Sequence, residues 1–193
     1  VVGGAVKYGL EKINHEVVYY DPAHESKFED VLDTQICFLC VPTPPNEDGF
    51  CDVSIVEDSI EKLAAAKYGG VVVIKSTVEP TTTRRLGEEH PHLDICFVPE
   101  FLRERCATID FVENHDVCII GADGPRAEEN YQLIKESHGN LPDKFIKVTT
   151  LEAELSKYFS NCYNATLVVF ANSFYSLCEA LGADYSVVKN ACI

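Results

Sequence analysis

An α/β fold with a doubly wound parallel sheet followed by one long helix is predicted by three features of the sequence. Short segments rich in Val, Ile, Cys, Phe and Tyr alternate with longer helix-like stretches, the pattern of βαβ units. Those short segments are continuously apolar, as strands covered on both faces must be. From Thr149 onward the alternation gives way to a single period of three and four residues.

The elements follow in order. Val2-Gly3-Gly4-Ala5 is a glycine turn leading into a helix over 4–13, and the apolar segment 17–20 predicts a strand that ends at Asp21-Pro22. Further strands are predicted at 35–41, 71–76, 94–98, 117–121 and 144–148, with helices at 54–67, 82–89 and 126–137 between them. Residues 151–181 read as one helix, because Leu155, Tyr158, Phe159, Cys162, Thr166, Val169, Phe170 and Phe174 recur at three and four. Neither glycine nor proline interrupts that run before Gly182, the predicted stop, and Thr150 with Glu152 and Ala153 marks the predicted cap region. The organisation expected is a dinucleotide-binding domain over 1–148 and the start of a helical domain over 149–193. The chain has no Met, even at position 1, and opens inside a motif. Residues including a first strand are therefore expected to precede it.

Composition narrows the function. The chain of 193 residues is 46% hydrophobic, enough for the core of one sizeable domain or of one and part of a second. A net charge of -15 would repel a phosphate backbone, so nucleic acid is excluded as a partner. An anionic ligand must be held by local amides and a few placed cations. No apolar run reaches the roughly 18 residues that span a bilayer, and the N-terminus lacks the basic flank of a signal peptide. The nine scattered cysteines fit buried, reduced thiols of a cytoplasmic protein. Cys37 and Cys40 form a CxxC, but no second pair or histidine completes a zinc site, and no metal is assigned.

Five segments can carry chemistry. Gly3 before a helix and Asp21 some 18 residues on have the spacing of a dinucleotide turn and its ribose acid; a plain glycine turn with an exposed Asp is the alternative. The carboxylate would favour NAD over NADP, because it repels a 2′-phosphate. Val41-Pro42-Thr43-Pro44-Pro45 leaves a buried strand at the end where open α/β sheets bind ligands, though it also suits a rigid exit without function. Lys75-Ser76-Thr77 sits at the next strand end, offering two hydroxyls and an ammonium. Pro99-Glu100-Phe101-Leu102-Arg103-Glu104-Arg105 places carboxylates and guanidinium groups beside apolar residues, as proton transfer requires, or as a solvated salt-bridged turn would. Lys157 and Asn161 lie one helical turn apart on one face, where a lysine can bind an oxyanion or simply remain solvated.

The order strand-VPTPP, strand-KSTV-x-P, strand-x-PEFLRE, then a helix reading EAEL-x-KY-x-x-N, resembles the UDP-glucose/GDP-mannose dehydrogenase family from Val2 to about Tyr185. That resemblance implies a Rossmann-like sheet, NAD as cofactor, a homodimer formed through the long helix, and oxidation of the C6 alcohol of a nucleotide sugar, UDP-glucose foremost. It implies that Gly3, Asp21, Val41, Pro42, Thr43, Ser76, Thr77 and Glu104 bind the cofactor. Phe101, Leu102, Arg103, Glu104, Lys157 and Asn161 correspond to substrate contacts, and Thr77, Glu100, Lys157 and Asn161 to the catalytic set. Glu100 resembles the acid/base of thioester hydrolysis, Lys157 the oxyanion-stabilising lysine and Asn161 its neighbour; proton loss from the alcohol suits Thr77 with a bound water.

Three departures stand out. The second oxidation needs an activated cysteine, which in the family lies in a later GG-x-C-x-PKD motif, and none of the nine cysteines has that context. The 193 residues are therefore expected not to complete the four-electron oxidation by themselves. The stretch from Asp21 to Val41 is short, and Thr81 stands where the family usually has glycine. A two-electron β-hydroxyacid-type dehydrogenase, or a non-catalytic NAD-binding and dimerising module, remains as the alternative.

Overall fold

The computed structural model describes residues 1–192, the side chain of Glu104 excepted. The chain divides into two compact units, Val1–Lys157 and Tyr158–Ile193.

The first unit is a five-stranded sheet in the order β1 (Ile36–Leu39), β2 (Val71–Ile74), β3 (Asp94–Phe97), β4 (Val117–Gly121) and β5 (Lys144–Val148). β1, β2 and β3 run parallel in the register Ile36↔Val71 and Val71↔Asp94, and β4 and β5 run parallel to each other. The two halves meet antiparallel at the single pair Phe97↔Gly121, a departure from the wholly parallel expectation. The cause is the connection: 98–116 holds only a 3₁₀ turn and the seven-residue α4 (Ala107–Glu113), which packs on α1 (Val2–Lys12). With no helix crossing the sheet, the chain does not return to the strands' starting edge, as a parallel strand requires.

Alternate side chains point to opposite faces and both faces are covered, which is why the strands read as unbroken apolar runs. Cys37, Leu39, Val72, Ile74 and Phe97 pack with Val56, Ile60 and Leu63 of α2 (Ser54–Ala65) and Leu86 of α3 (Thr82–Glu89). Val71, Val73 and Cys96 pack on the other side with Ile134 of α5 (Ala127–His138). Phe111 of α4 closes on Ala5, Val6 and Leu10 of α1. A Cβ at Gly9 would fall 2.2 Å from the Phe111 ring, so this helix contact requires glycine. Each such aromatic or aliphatic burial contributes about 1.5–3 kcal/mol.

Residues 17–20 are not a strand. They join no ladder, and Val18, Tyr19 and Tyr20 are exposed. Strand composition cannot by itself supply the neighbouring chain whose amides complete a ladder.

α6 (Thr150–Leu181) begins in the first unit and ends in the second. Its cap is Thr149, one residue before the predicted position: Thr149 N and Oγ1 each donate to Glu152 Oε2 at 2.8 Å, and Glu152 N donates back to Thr149 Oγ1 at 3.3 Å. Its stop is the predicted Gly182, at φ +71°, with Ala183 N donating to Cys178 O at 2.9 Å. In the second unit a short α7 (Tyr185–Asn190) follows, capped by Asp184 Oδ1, which accepts from Ser186 N at 2.7 Å. The predicted apolar stripe of α6 is largely solvent-facing: Phe159, Val169 and Phe170 are exposed. Of the cysteines, four are buried and three half-buried, but Cys162 and Cys192 are exposed, against the expectation of buried thiols throughout.

Candidate active site

The C-terminal ends of β1, β2 and β3 lie side by side, and the segments leaving them are stitched together. Lys75 N donates to Leu39 O at 2.9 Å and Val98 N to Ile74 O at 3.0 Å, extending both ladders past the strands. Ser76 Oγ donates to Val41 O at 2.6 Å, and Thr43 Oγ1 donates to Thr77 O at 2.7 Å. Pro42, which has no N–H, stands between those two ties. The hydroxyls of Thr43 and Ser76 are thereby committed to backbone carbonyls, whereas that of Thr77 has no hydrogen-bond partner among the described residues.

The N-terminus of α1 arrives at the same edge. A Cβ on Gly3 would lie 3.3 Å from Cys40 Cβ, so the helix start is pressed against the exit of β1. Its first turn holds no acidic residue and no side-chain cap, leaving its amides for a ligand anion. Asp21 accepts from Ala23 N at 2.9 Å and stands 3.2 Å from His24 Nδ1. The Ala23 bond foremost, helped by His24, holds its carboxyl below the usual range. A glycine-lined helix start, an ionised acid and rigid strand exits fit a dinucleotide's pyrophosphate, ribose and nicotinamide ends respectively.

Two lysines converge on Glu100. Its Oε2 is 3.1 Å from Lys75 Nζ, an ionic contact whose angles fall outside hydrogen-bond geometry, and both side chains are buried. Its Oε1 accepts from Phe101 N at 3.1 Å. Burial alone would push the Lys75 ammonium down, but Glu100, with Cys118 and Cys40, outweighs it and the pKa lies above the ordinary lysine value. Lys157 Nζ donates to the Glu100 carbonyl at 2.6 Å and lies 5.4 Å from the centre of the Phe101 ring. Burial lowers its pKa, Glu100 opposing. Burial disfavours the thiolate at Cys40 and Cys118, raising the first to about 11 and the second to about 12.

The remaining expected residues fall elsewhere. Leu102 is half-buried against the α1–α4 cluster. Arg103 is bound by Asp110, Nε donating at 2.9 Å and Nη2 at 2.7 Å, which raises the guanidinium and holds Asp110 well below the carboxylate range. Asn161, four residues along α6, is exposed and its side chain makes no hydrogen bond among the described residues. The side chain of Glu104 lies outside the described residues. Lys75 was offered by the sequence as an ammonium at a strand end, but without its partner Glu100, and Asp110 was not singled out; each pairing becomes legible only in the folded chain.

Residues 6–138 match the model of the UDP-glucose/GDP-mannose dehydrogenase family, NAD binding domain, and residues 151–193 match that of the same family's central domain. A UDP-glucose 6-dehydrogenase of Haloferax volcanii is 34% identical over 182 residues, 83% of this chain and 41% of that protein. The solved UDP-glucose dehydrogenase of Pyrobaculum islandicum superposes with a TM-score of 0.85 at 28% identity, over 99% of this chain and 54% of its own. A GDP-mannose dehydrogenase of Pseudomonas aeruginosa, solved as a ternary complex, gives 0.81 at 25%, over 97% and 53%. The chain thus spans about half the length, or less, of these proteins.

Proposed function

The chain belongs to the UDP-glucose/GDP-mannose dehydrogenase family, and from that premise we propose that it carries the NAD site and part of the active site for oxidising a nucleotide sugar at C6, UDP-glucose to UDP-glucuronate. The observation that carries the reading is the convergence of Lys75 and Lys157 on Glu100 at the edge where Gly3, Thr43 and Thr77 also gather.

NAD is the cofactor of the matched domain, and when bound it takes up the hydride lost by the alcohol carbon. Gly3 lets the start of α1 approach the pyrophosphate, and Asp21 accepts hydrogen bonds from the adenosine ribose. Val41, Pro42, Thr43 and Ser76 wall the cofactor, with Glu104 beside it. Thr77, whose hydroxyl is uncommitted, holds the water that takes the alcohol proton. Lys157, with Asn161 one turn on, stabilises the oxyanion; its partial burial strengthens that attraction. Glu100 serves as the acid/base in thioester hydrolysis, and Phe101, Leu102 and Arg103 contact the sugar nucleotide. The nucleophilic cysteine of the second oxidation is none of the nine present, so the 193 residues alone do not complete that step. Residues 1–148 act as the NAD domain and 149–193 begin the helical domain, through whose exposed aromatic face two copies pair. No helix among the described residues is long and apolar enough to cross a membrane, and we place the protein in the cytoplasm.

The test is NADH formation by the protein with NAD and UDP-glucose. Two NADH per sugar are expected where these residues are joined to a segment carrying the family's nucleophilic cysteine, and Lys157→Ala should there lower kcat by roughly 10²–10³. A variant altered only in cofactor affinity would remove Lys157 from its role.

A further inference from the structure

Glu154 is fully buried at the start of α6, one turn before Lys157, and its carboxylate is spent entirely on another element. Its Oε2 accepts from Thr81 N at 2.6 Å; its Oε1 accepts from Thr83 N at 2.8 Å and from Thr83 Oγ1 at 2.6 Å. The segment so gripped runs from Thr77 into α3 and has an unusual backbone. Thr81 sits at φ +83°, a left-handed conformation that a β-branched residue adopts only when its surroundings impose it. No side chain of α3 caps the helix; the three bonds from Glu154 replace that cap.

The start of α6 is itself fixed to the sheet. A Cβ on Gly121 would lie 2.7 Å from Ala153 Cβ, so glycine lets the first turn press on β4. Asp123 accepts from Thr150 Oγ1 and from Thr150 N. One rigid turn therefore carries Glu154 on the side of the Thr77 segment and Lys157 on the side of Glu100.

We propose that Glu154 is a positioning residue: its carboxylate sets the Thr77 segment in register with Lys157, holding Thr81 left-handed so that the proton-accepting and oxyanion-stabilising groups face one substrate atom. The roles of Thr77 and Lys157 rest on the proposed function; the restraint on Thr81 does not. Near-attack geometry is sensitive at this scale, since a displacement of about 1 Å can cost a hundredfold in rate.

The experiment uses the protein with Glu154→Ala, Glu154→Gln and Glu154→Ala combined with Thr81→Gly, all assayed well below their melting temperatures. Glu154→Gln preserves volume and serves should the alanine variant fail to fold. Expected is a fall in kcat of roughly tenfold to a hundredfold with KM for NAD and for UDP-glucose nearly unchanged. Amide exchange at Thr81 and Thr83 should quicken by at least about tenfold. Thr81→Gly, which adopts positive φ without strain, should restore part of the lost kcat in the double variant. A wild-type kcat in both single variants, or a loss confined to melting temperature, overturns the proposal. If the wild-type protein forms no NADH, the proposed function fails, and exchange alone decides: Thr81 and Thr83 amides no faster in the variants would overturn the restraint as well.

Discussion

The sheet and α4 of the first unit and the length of α6 in the second treat phenylalanine in opposite ways. Phe97 and Phe111 are wholly buried in the first, while Phe159 and Phe170 in the second are 75% and 63% exposed. The first unit has a sheet whose two faces demand cover, so the apolar runs of its strands find partners in the flanking helices. The second has α6 and the short α7, and Cys178 is its one buried apolar residue among those described. Three-and-four periodicity thus announces a helix with an apolar face, but says nothing of what covers it.

The largest effect expected from this contrast concerns acid. His138 is fully buried among Phe38, Phe111, His115 and Phe145, and its Nδ1–H donates to Ile134 O at 2.8 Å. Burial foremost, with Lys75 nearby, pushes its pKa down to about 3, below the unfolded value near 6.5. The folded state therefore holds fewer protons; His138 contributes no acid penalty above about pH 6.5, and stability is lost as pH falls from there toward 3. The loss approaches about 5 kcal/mol at the acid end. Urea midpoints measured across that window should fall steeply in the wild type and more gently in His138→Phe; equal slopes would show that His138 is not the group responsible.

Next in size, Phe111→Ala should cost about 3–5 kcal/mol, because it empties the contact among α1, α4 and Lys75. A melting temperature close to wild type would break the picture of a tightly filled first unit. Thr81→Gly alone should stabilise by about 1 kcal/mol, relieving a left-handed threonine. A destabilised glycine variant would mean that Thr81 carries no strain. Smallest of all, Phe170→Glu should change the stability of an isolated copy by no more than about 0.5 kcal/mol. Sedimentation should nevertheless show dimers of the wild type turning to monomers; an unaltered dimer would place the interface elsewhere.

Much of this was readable in advance, and the failures have physical causes. The strand positions β1 to β5 were legible because strands covered on both faces leave unbroken apolar runs, and α3 because Pro80 and His90-Pro91 bracket it. Residues 17–20 have the same composition but no ladder, since pairing is a property of two segments. α4 was missed because seven residues carry too little periodicity, although α7 could have been found from Asp184, its cap. At the site, the motifs led to Glu100 and Lys157, and Thr81 stood out as a departure from glycine. What they did not give is which groups are bound to which: the Lys75–Glu100 pair, the Arg103–Asp110 fork and the Glu154 clamp join residues from 7 to 73 positions apart, which meet only once the chain is folded.

The most direct measurement is a calorimetric titration of NAD into the protein, repeated with Asp21→Ala. Saturable one-site binding is expected, weakened at least about tenfold by loss of the ribose acid, about 1.4 kcal/mol, with the melting temperature unchanged because Asp21 is outside the core. Equal affinity in the two proteins, or no binding in either, would contradict the assignment of Asp21 to an NAD site that begins at Gly3 and the strand exits.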